Sequence, residues 1–450
     1  MTAAQASSGH QIKQDEIGVL GAEVLPAVMP GGFLDAFLQW GFSQTDAPVW
    51  LQLAAGTAAL STLLPGSTAL PDHGGTRYHP VWWQLVGPSA ITRKSTVCKL
   101  VQTVVRTACR RLAAQDGLDP DGDLGVWDRL GPEPDSPEAI LTSLGTRPQQ
   151  LVLLPELGHF LAKTRPGSRQ EDVRTLLNKA ADNDDLTRQL VRSLIKIEGP
   201  NYRLTQLGGV TPAYLALYTD LTDWSGGFLS RWGIVVGVTE WYADYRGPRD
   251  DLLEVAVSRL CEVARRKTQW ATGMDATGLA RFNAWTRALH ARTQDAPQVI
   301  QGAYARAEQL ALKLMLLLAH DMGLVPTGAT WEVPDRAVAG AILLAEAHVK
   351  GAQILLTLDT DHYRRLRTHA LELLATGPQT EGALARRLVC QPRVLRDLLT
   401  GLLIERRIHL LGKNRHEEPV YRHRSAAEVS KEDDPTPVVL GGLGGPAPGV

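Results

Sequence analysis

The chain has 450 residues, 44% of them apolar and 21% charged, which excludes a single compact core and predicts two or three globular domains. Its net charge of −1 says nothing about partners, but thirteen Lys/Arg face six Asp/Glu between Tyr363 and Arg424, an excess of +7 that leaves −8 for the remainder. Cys98, Cys109, Cys261 and Cys390 show no C-x-x-C spacing, which argues against a zinc site or disulfide framework and for a reducing compartment.

In chain order, residues 1–15 read as unstructured, and Met1–Glu16 lacks the basic start and apolar stretch of a signal peptide. From Gly31 to Leu70 the pattern is helical, with Phe33, Phe37 and Trp40 at helix spacing and Val49–Leu64 rich in Ala and Leu. Pro71 to Gly75 break it. Val81–Val86 is an apolar run bounded by turn signals, the look of a central strand, and Ser95–Gln115 follows as a helix with Leu100, Val104, Val105, Ala108 and Leu112 on one side. Ser136-Pro137-Glu138 marks a helix start. Leu151–Leu154, Arg203–Val210 and Trp232–Val238 are further strands, and such apolar strands alternating with helices predict a mainly parallel sheet covered on both faces.

Asp251–Leu355 reads as helical, Ala303–Leu318 most clearly, and its longest apolar run, Leu310–Ala319, is interrupted by Lys313 and falls short of a membrane span. A cytoplasmic protein without membrane contact is expected. The last module predicts helices over Tyr363–Ala375, Thr380–Leu388 and Arg393–Glu405, then short strands Ile408–Leu411 and Val420–Arg422 around a basic turn, Gly412–Glu418. Three helices and a hairpin make a winged helix-turn-helix pattern. Ser425–Val450 reads as a disordered tail.

The chemistry concentrates in VGPSAITRKST, Val86–Thr96. A phosphate loop needs backbone N–H groups around the phosphates, a helix N-terminus beneath them, a Lys for the terminal phosphates and a hydroxyl for Mg²⁺. Gly87, Ser89, Arg93, Lys94, Ser95 and Thr96 are the candidate nucleotide-binding residues, with Ser95 also the Mg²⁺ ligand. Two features depart from the common pattern: Gly87 stands seven residues before Lys94 instead of six, and Arg93 stands where Gly usually precedes the Lys. In LVLLPELGHFL, Leu151–Leu161, a strand ends in Glu156, placed to polarise an attacking water, with Pro155 where an Asp normally supports the metal. In YRLTQLGGVTP, Tyr202–Pro212, Gln206 is the candidate γ-phosphate sensor and Thr205 the runner-up; in GGFLSRWGIVVG, Gly226–Gly237, Arg231 is a candidate arginine finger. Arg306 could be a second sensor or a surface ion-pair residue, and Arg188, Arg192 and Lys196, four apart, are read as one helix face that either lines a DNA pore or is simply solvated.

VGPSAITRKST, DSPEAILTSL, LVLLPELGHFL, LTQLGGVTP and GGFLSRW, in this order, resemble the RecA-like P-loop ATPase module of phage and mobile-element replication proteins, often fused to primase-polymerase domains. The resemblance covers about Leu34–Ala319. It implies a hexameric ring, ATP and Mg²⁺ between subunits, Arg231 acting in trans, and a primase or other replication protein as partner. The departures at Arg93, Pro155 and in loop length bear on fast hydrolysis, not on nucleotide binding. In the last module, Arg393, Arg396, Arg406, Arg407, Lys413 and Arg415 are candidate DNA contacts, although winged helices also dock proteins.

The expected organisation is a disordered start and helical region over 1–75, an α/β P-loop NTPase core with a mainly parallel sheet over 76–245, a helical region over 246–360, a winged helix-turn-helix over 361–424 and a tail over 425–450. The expected function is an ATP-dependent DNA motor, a replicative helicase. Two alternatives stand beside it: a nucleotide-gated DNA-binding regulator or helicase loader with weak turnover, and a metabolic kinase using the same loop.

Overall fold

The computed structural model describes residues 27–423 apart from 73–74, 89–91, 165–167, 169, 190–193, 213, 216–218, 220–222, 224–226, 238–248, 267–269, 297, 326–330, 389–394, 396–397, 400–401 and 404–406. The chain divides into two compact units, Met1–Thr357 and Leu358–Val450.

The first unit is mixed α/β. Its centre is a five-stranded sheet of β3 (Trp82–Val86), β4 (Leu130–Gly131), β5 (Gln149–Leu154), β8 (Arg203–Val210) and β9 (Gly233–Val236), in the order β4-β5-β8-β3-β9. Every pairing in it is parallel. β3 and β8 are buried at every position, including the polar Gln84, Arg203, Thr205 and Gln206, as strands covered on both faces must be. One face is covered by α2 (Val49–Leu63), tied down where Trp83 Nε1 donates to Thr57 Oγ1 at 2.9 Å and where the hydroxyls of Ser61 and Thr205 meet at 2.9 Å. α1 (Phe33–Gln44), α3 (Lys94–Gln115) and α7 (Asp250–Ala264) pack around α2. The opposite face carries α4 (Pro137–Thr146), α5 (Leu157–Lys163) and α6 (Glu171–Asp182). α4 starts as expected: Ser136 Oγ accepts from Ala139 N at 3.1 Å and Pro137 takes the first turn, where its missing N–H costs nothing.

Two hairpins depart from expectation. β1 (Ala69–Asp72) pairs antiparallel with β2 (Gly75–Tyr78) across the stretch read as a simple break. β6 (Leu186–Gln189) pairs antiparallel with β7 (Leu194–Ile197), so Arg188 and Lys196 sit on a hairpin and do not share a helix face; Arg192 lies outside the described residues. The i, i+4 spacing of three cations carried the helical reading, while Leu194-Ile195-Lys196-Ile197 holds the β-branched character that decides for a strand. Lys196 is taken up by Asp185 at 3.4 Å and Glu198 at 3.8 Å.

Beyond the sheet lie α8 (Ala276–Asp295), α9 (Gln298–Asp321) and a small parallel pair, β10 (Ala271–Met274) with β11 (Trp331–Val333). α9 is fixed to the sheet through His348 of α10 (Asp335–Ala375): its Nδ1 accepts from Ile234 N at 3.0 Å, and its Nε2 lies 3.0 Å from Ala303 O. Nδ1 must therefore be unprotonated, and burial pushes the imidazole down to about 4. Among the described residues one stretch, Asp335–Leu355, is long and apolar enough to cross a membrane, but 56% of that window is buried inside the protein, the signature of a core helix.

The second unit contains the end of α10, α11 (Glu381–Leu388), and a three-stranded sheet in the order β12 (Gln379–Thr380), β14 (Pro419–His423), β13 (Ile408–Lys413). Thr380 Oγ1 caps α11 by accepting from Ala383 N at 3.1 Å. Leu366, Leu374, Leu384, Leu398, Leu402 and Ile408 are among the residues of its core. Arg393, Arg396 and Arg406 lie outside the described residues. The expected boundary near 361 falls inside α10, because no helix breaker precedes Thr376-Gly377-Pro378.

Candidate nucleotide site at the carboxyl ends of the sheet

Because the strands are parallel, β3, β5 and β8 end on one edge, where ligands of open α/β sheets bind. β8 stands between β3 and β5, so the Lys94 loop and Glu156 leave the sheet two strands apart with Val210 between them. Gly87 N donates to Val210 O at 3.2 Å, holding the loop's first residue to the end of β8.

Lys94 opens α3, a helix of 22 residues without a side-chain N-cap. Its first N–H groups thus lack a capping acceptor at the positive end of the dipole, the arrangement that receives phosphate. The Lys94 ammonium folds back over the loop, donating to Gly87 O at 2.7 Å, Pro88 O at 3.0 Å and Thr92 Oγ1 at 3.2 Å. Burial lowers its pKa, and the Glu156 charge opposes that shift. The cradle leaves no spare room: a Cβ on Gly87 would lie 2.6 Å from Thr92 Cγ2, and one on Gly209 would lie 2.8 Å from Pro155 O and 3.2 Å from Lys94 Cβ.

Arg93 takes φ +51°, the left-handed conformation that a glycine there would adopt freely. Its side chain is exposed and its Nε donates to Asp46 Oδ1 at 3.0 Å, so Arg93 shapes the loop through its backbone and points its charge at Asp46. Ser95 is exposed in the first turn and Thr96 half-buried behind it; Ser89 lies outside the described residues. Glu156 is exposed at the N-cap position of α5 and makes no capping hydrogen bond, leaving its carboxylate available. Cys98, one turn into α3, is buried, and its thiol is pushed up to about 12 by burial and by Glu156, so it is no nucleophile.

Gln206 is not at this edge. β8 continues four residues beyond it, and Gln206 pairs in register with Trp82, the first residue of β3, about 13 Å back along the sheet at the usual rise per residue. Its side chain is fully buried with neither amide atom hydrogen-bonded, and Thr205 is occupied by Ser61, so neither can sense a phosphate held by Lys94. The residue that follows β8 on the right edge is Thr211, whose Oγ1 accepts from Tyr214 N at 3.3 Å. Tyr214 lies over Gly158, where a Cβ would be 2.9 Å from its Cγ, and its ring meets His159 edge-on at 6.0 Å. The signal was available: the sequence already ran this strand to Val210, short of Pro212, which places Gln206 in its interior.

Arg231 lies at the opposite edge, on a single helical turn (Leu229–Arg231) before β9. Its Nε and Nη2 both donate to Asp182 Oδ2, at 3.0 and 2.5 Å, and Arg306 Nη1 donates to Asp182 Oδ1 at 2.9 Å. Of the two readings of Arg306, the structure favours the ion pair: it shares Asp182 with Arg231, at the edge of the sheet opposite the Lys94 loop. In the second unit Arg407 is exposed, Lys413 pairs with Glu417 at 3.0 Å and Arg415 Nε meets His416 Nε2 at 3.2 Å on an exposed turn. Among the described residues no group of three or more His, Cys, Asp or Glu side chains gathers to hold a metal.

In comparison with known proteins, no family model matches the chain and no curated protein matches it.

Proposed function

We propose that the chain is a RecA-like P-loop ATPase that couples ATP to DNA as a ring-forming motor, a replicative helicase. The observation that carries this reading is the strand order: a Lys-bearing loop at the end of β3, an acid at the end of β5, and β8 inserted between them. In this reading Lys94 binds the β- and γ-phosphates, and the uncapped N-terminus of α3 supplies backbone donors. The Ser95 hydroxyl would hold Mg²⁺, which would supply charge neutralisation of the phosphates. Glu156 orients the attacking water and Thr211 takes the sensing place first assigned to Gln206. Arg231 stands too far from its own chain's loop to act on it, so it acts on a neighbour's nucleotide, which requires the ring.

The three-stranded sheet and helices of the second unit support a winged helix-turn-helix, with Arg407, Lys413 and Arg415 exposed for backbone phosphates and Arg393, Arg396 and Arg406 as the further basic candidates. The buried, unbridged Cys98, Cys109 and Cys261 agree with a reducing, cytoplasmic setting. A primase or other replication protein is the partner this reading implies.

A second reading is favoured by Pro155, which removes a metal-supporting carboxylate, and by the engagement of Arg231 within its own chain. There ATP gates assembly of a DNA regulator or loader and turns over slowly. One experiment separates them: ATP hydrolysis by the full chain with and without single-stranded DNA, beside sizing with ATP. The motor reading expects a ring with ATP and turnover stimulated tenfold or more by DNA. ATP-dependent assembly with unstimulated, slow turnover selects the loader, and neither assembly nor turnover contradicts both.

A further inference from the structure

Away from the Lys94 loop, at the amino-terminal edge of the sheet, Trp82, Asp182, Arg231, Gly233, Arg306 and Lys313 line one cleft. Its chemistry is lopsided. Arg231 and Arg306 both bind Asp182, and Lys313 Nζ donates to Ala181 O at 3.1 Å, so two guanidiniums converge on one carboxylate and an amine on the adjoining helix end. Arg77 adds its field, and together with burial it pushes the Lys313 amine down to about 7. Burial pushes the Asp182 carboxyl up, yet its bond to Arg231 and the charges of Arg306 and Lys313 outweigh this and hold it below its ordinary range.

Asp182 is also badly placed for its own helix. It is the last residue of α6, where the dipole's negative end disfavours a carboxylate, and the next residue, Asn183, turns the chain away at φ +57°. The arginines hold it there, not the helix. The cluster is not sealed either: the side chains of Arg231, Asp182 and Arg306 retain 15%, 23% and 24% exposure, enough for another anion to reach them. Guanidinium pairs recognise phosphoryl oxygens in the same forked geometry as carboxylates, and a dianion with three oxygens can engage two guanidiniums and hold the amine protonated, which one carboxylate does not.

We propose that Arg231, Arg306 and Lys313 form a second phosphoryl-binding site, that Asp182 fills it as an internal counter-ion in the isolated chain, and that the terminal phosphate of a nucleotide on a second copy of this chain displaces Asp182. The second-copy source rests on the nucleotide reading above; the anion site itself does not. The five residues of β3 put the chain's own loop about 15 Å or more away, so its own nucleotide cannot be the ligand.

The test uses the full chain carrying Lys94→Ala, which silences the loop, titrated with inorganic tripolyphosphate. Adding Asp182→Asn is expected to tighten tripolyphosphate at least tenfold, and adding Arg306→Gln to that pair is expected to cancel the gain. No gain, or a gain that survives Arg306→Gln, overturns the site. Should Asp182→Asn lower the melting temperature, tripolyphosphate is expected to restore it more than in Lys94→Ala alone; a loss that the anion does not restore marks a merely structural bridge and overturns the proposal. A second arm keeps Asp182 intact: Lys94→Ala chains mixed with Arg306→Gln chains are expected to hydrolyse ATP faster than either alone. Absence of recovery, with ATP still bound by the Arg306→Gln chain, overturns the second-copy source while leaving the nucleotide reading standing. Loss of ATP binding by wild-type chains overturns that reading and the second-copy source with it, leaving the tripolyphosphate arm to decide the anion site.

Discussion

Lys94→Ala is expected to lower the affinity for Mg-ATP at least a hundredfold while leaving the fold intact. The ammonium now rests on Gly87 O, Pro88 O and Thr92 Oγ1, three oxygens it would exchange for phosphate oxygens. Hydrogen bonds to charged groups contribute about 1.5–3 kcal/mol each, so losing two removes roughly two to four decades of affinity. The fold has little to lose. Lys94 is the first residue of α3, its burial opposes the charged form, and its atom nearest to Gly209 is Cβ, which Ala retains. Equilibrium titration with a fluorescent ATP analogue checks this, and wild-type affinity in a folded variant would sink the assignment of the loop.

Glu156→Gln is expected to bind ATP as the wild type does and to hydrolyse it about 10²–10⁴-fold more slowly, the usual contribution of a positioned base. The amide keeps the size and hydrogen-bonding reach of the side chain and removes only the charge. Because Glu156 is exposed and caps nothing, a stability effect would be small and cannot imitate a catalytic one. The variant should also hold any ATP-dependent ring together longer. Turnover at the wild-type rate in this variant would make Glu156 a surface residue and move the base elsewhere.

Much of the first unit was legible because its signals are local. The apolar runs Val81–Val86 and Leu151–Leu154 read as buried strands and lie in the strands Trp82–Val86 and Gln149–Leu154, and Ser136-Pro137 marked its helix start to the residue. The parallel sheet followed from alternation. What failed depended on where a residue stands within its strand and on what is distant in sequence. Gln206 looked terminal because it is the polar residue within an apolar stretch, yet Gly208-Gly209-Val210 continues the ladder and Thr211-Pro212 ends it. Arg231 and Arg306, 75 positions apart, gave no hint that they share Asp182, since no local pattern reports a contact between α6, α9 and a turn before β9. The β6–β7 hairpin was hidden by charges at helical spacing, where β-branched residues outweighed them. Arg93 was read as a departure from the common pattern; it takes φ +51°, a left-handed conformation that glycine adopts freely.

The most direct test of the central claim, that nucleotide binds at the carboxyl ends of β3, β5 and β8, is amide hydrogen exchange of the full chain with and without Mg-ATP. Protection is expected at residues 86–98, where the loop meets the uncapped start of α3, and at 154–160 and 210–214, with none at β10 and β11. Protection confined to other segments, or no change at saturating ATP, would contradict the account.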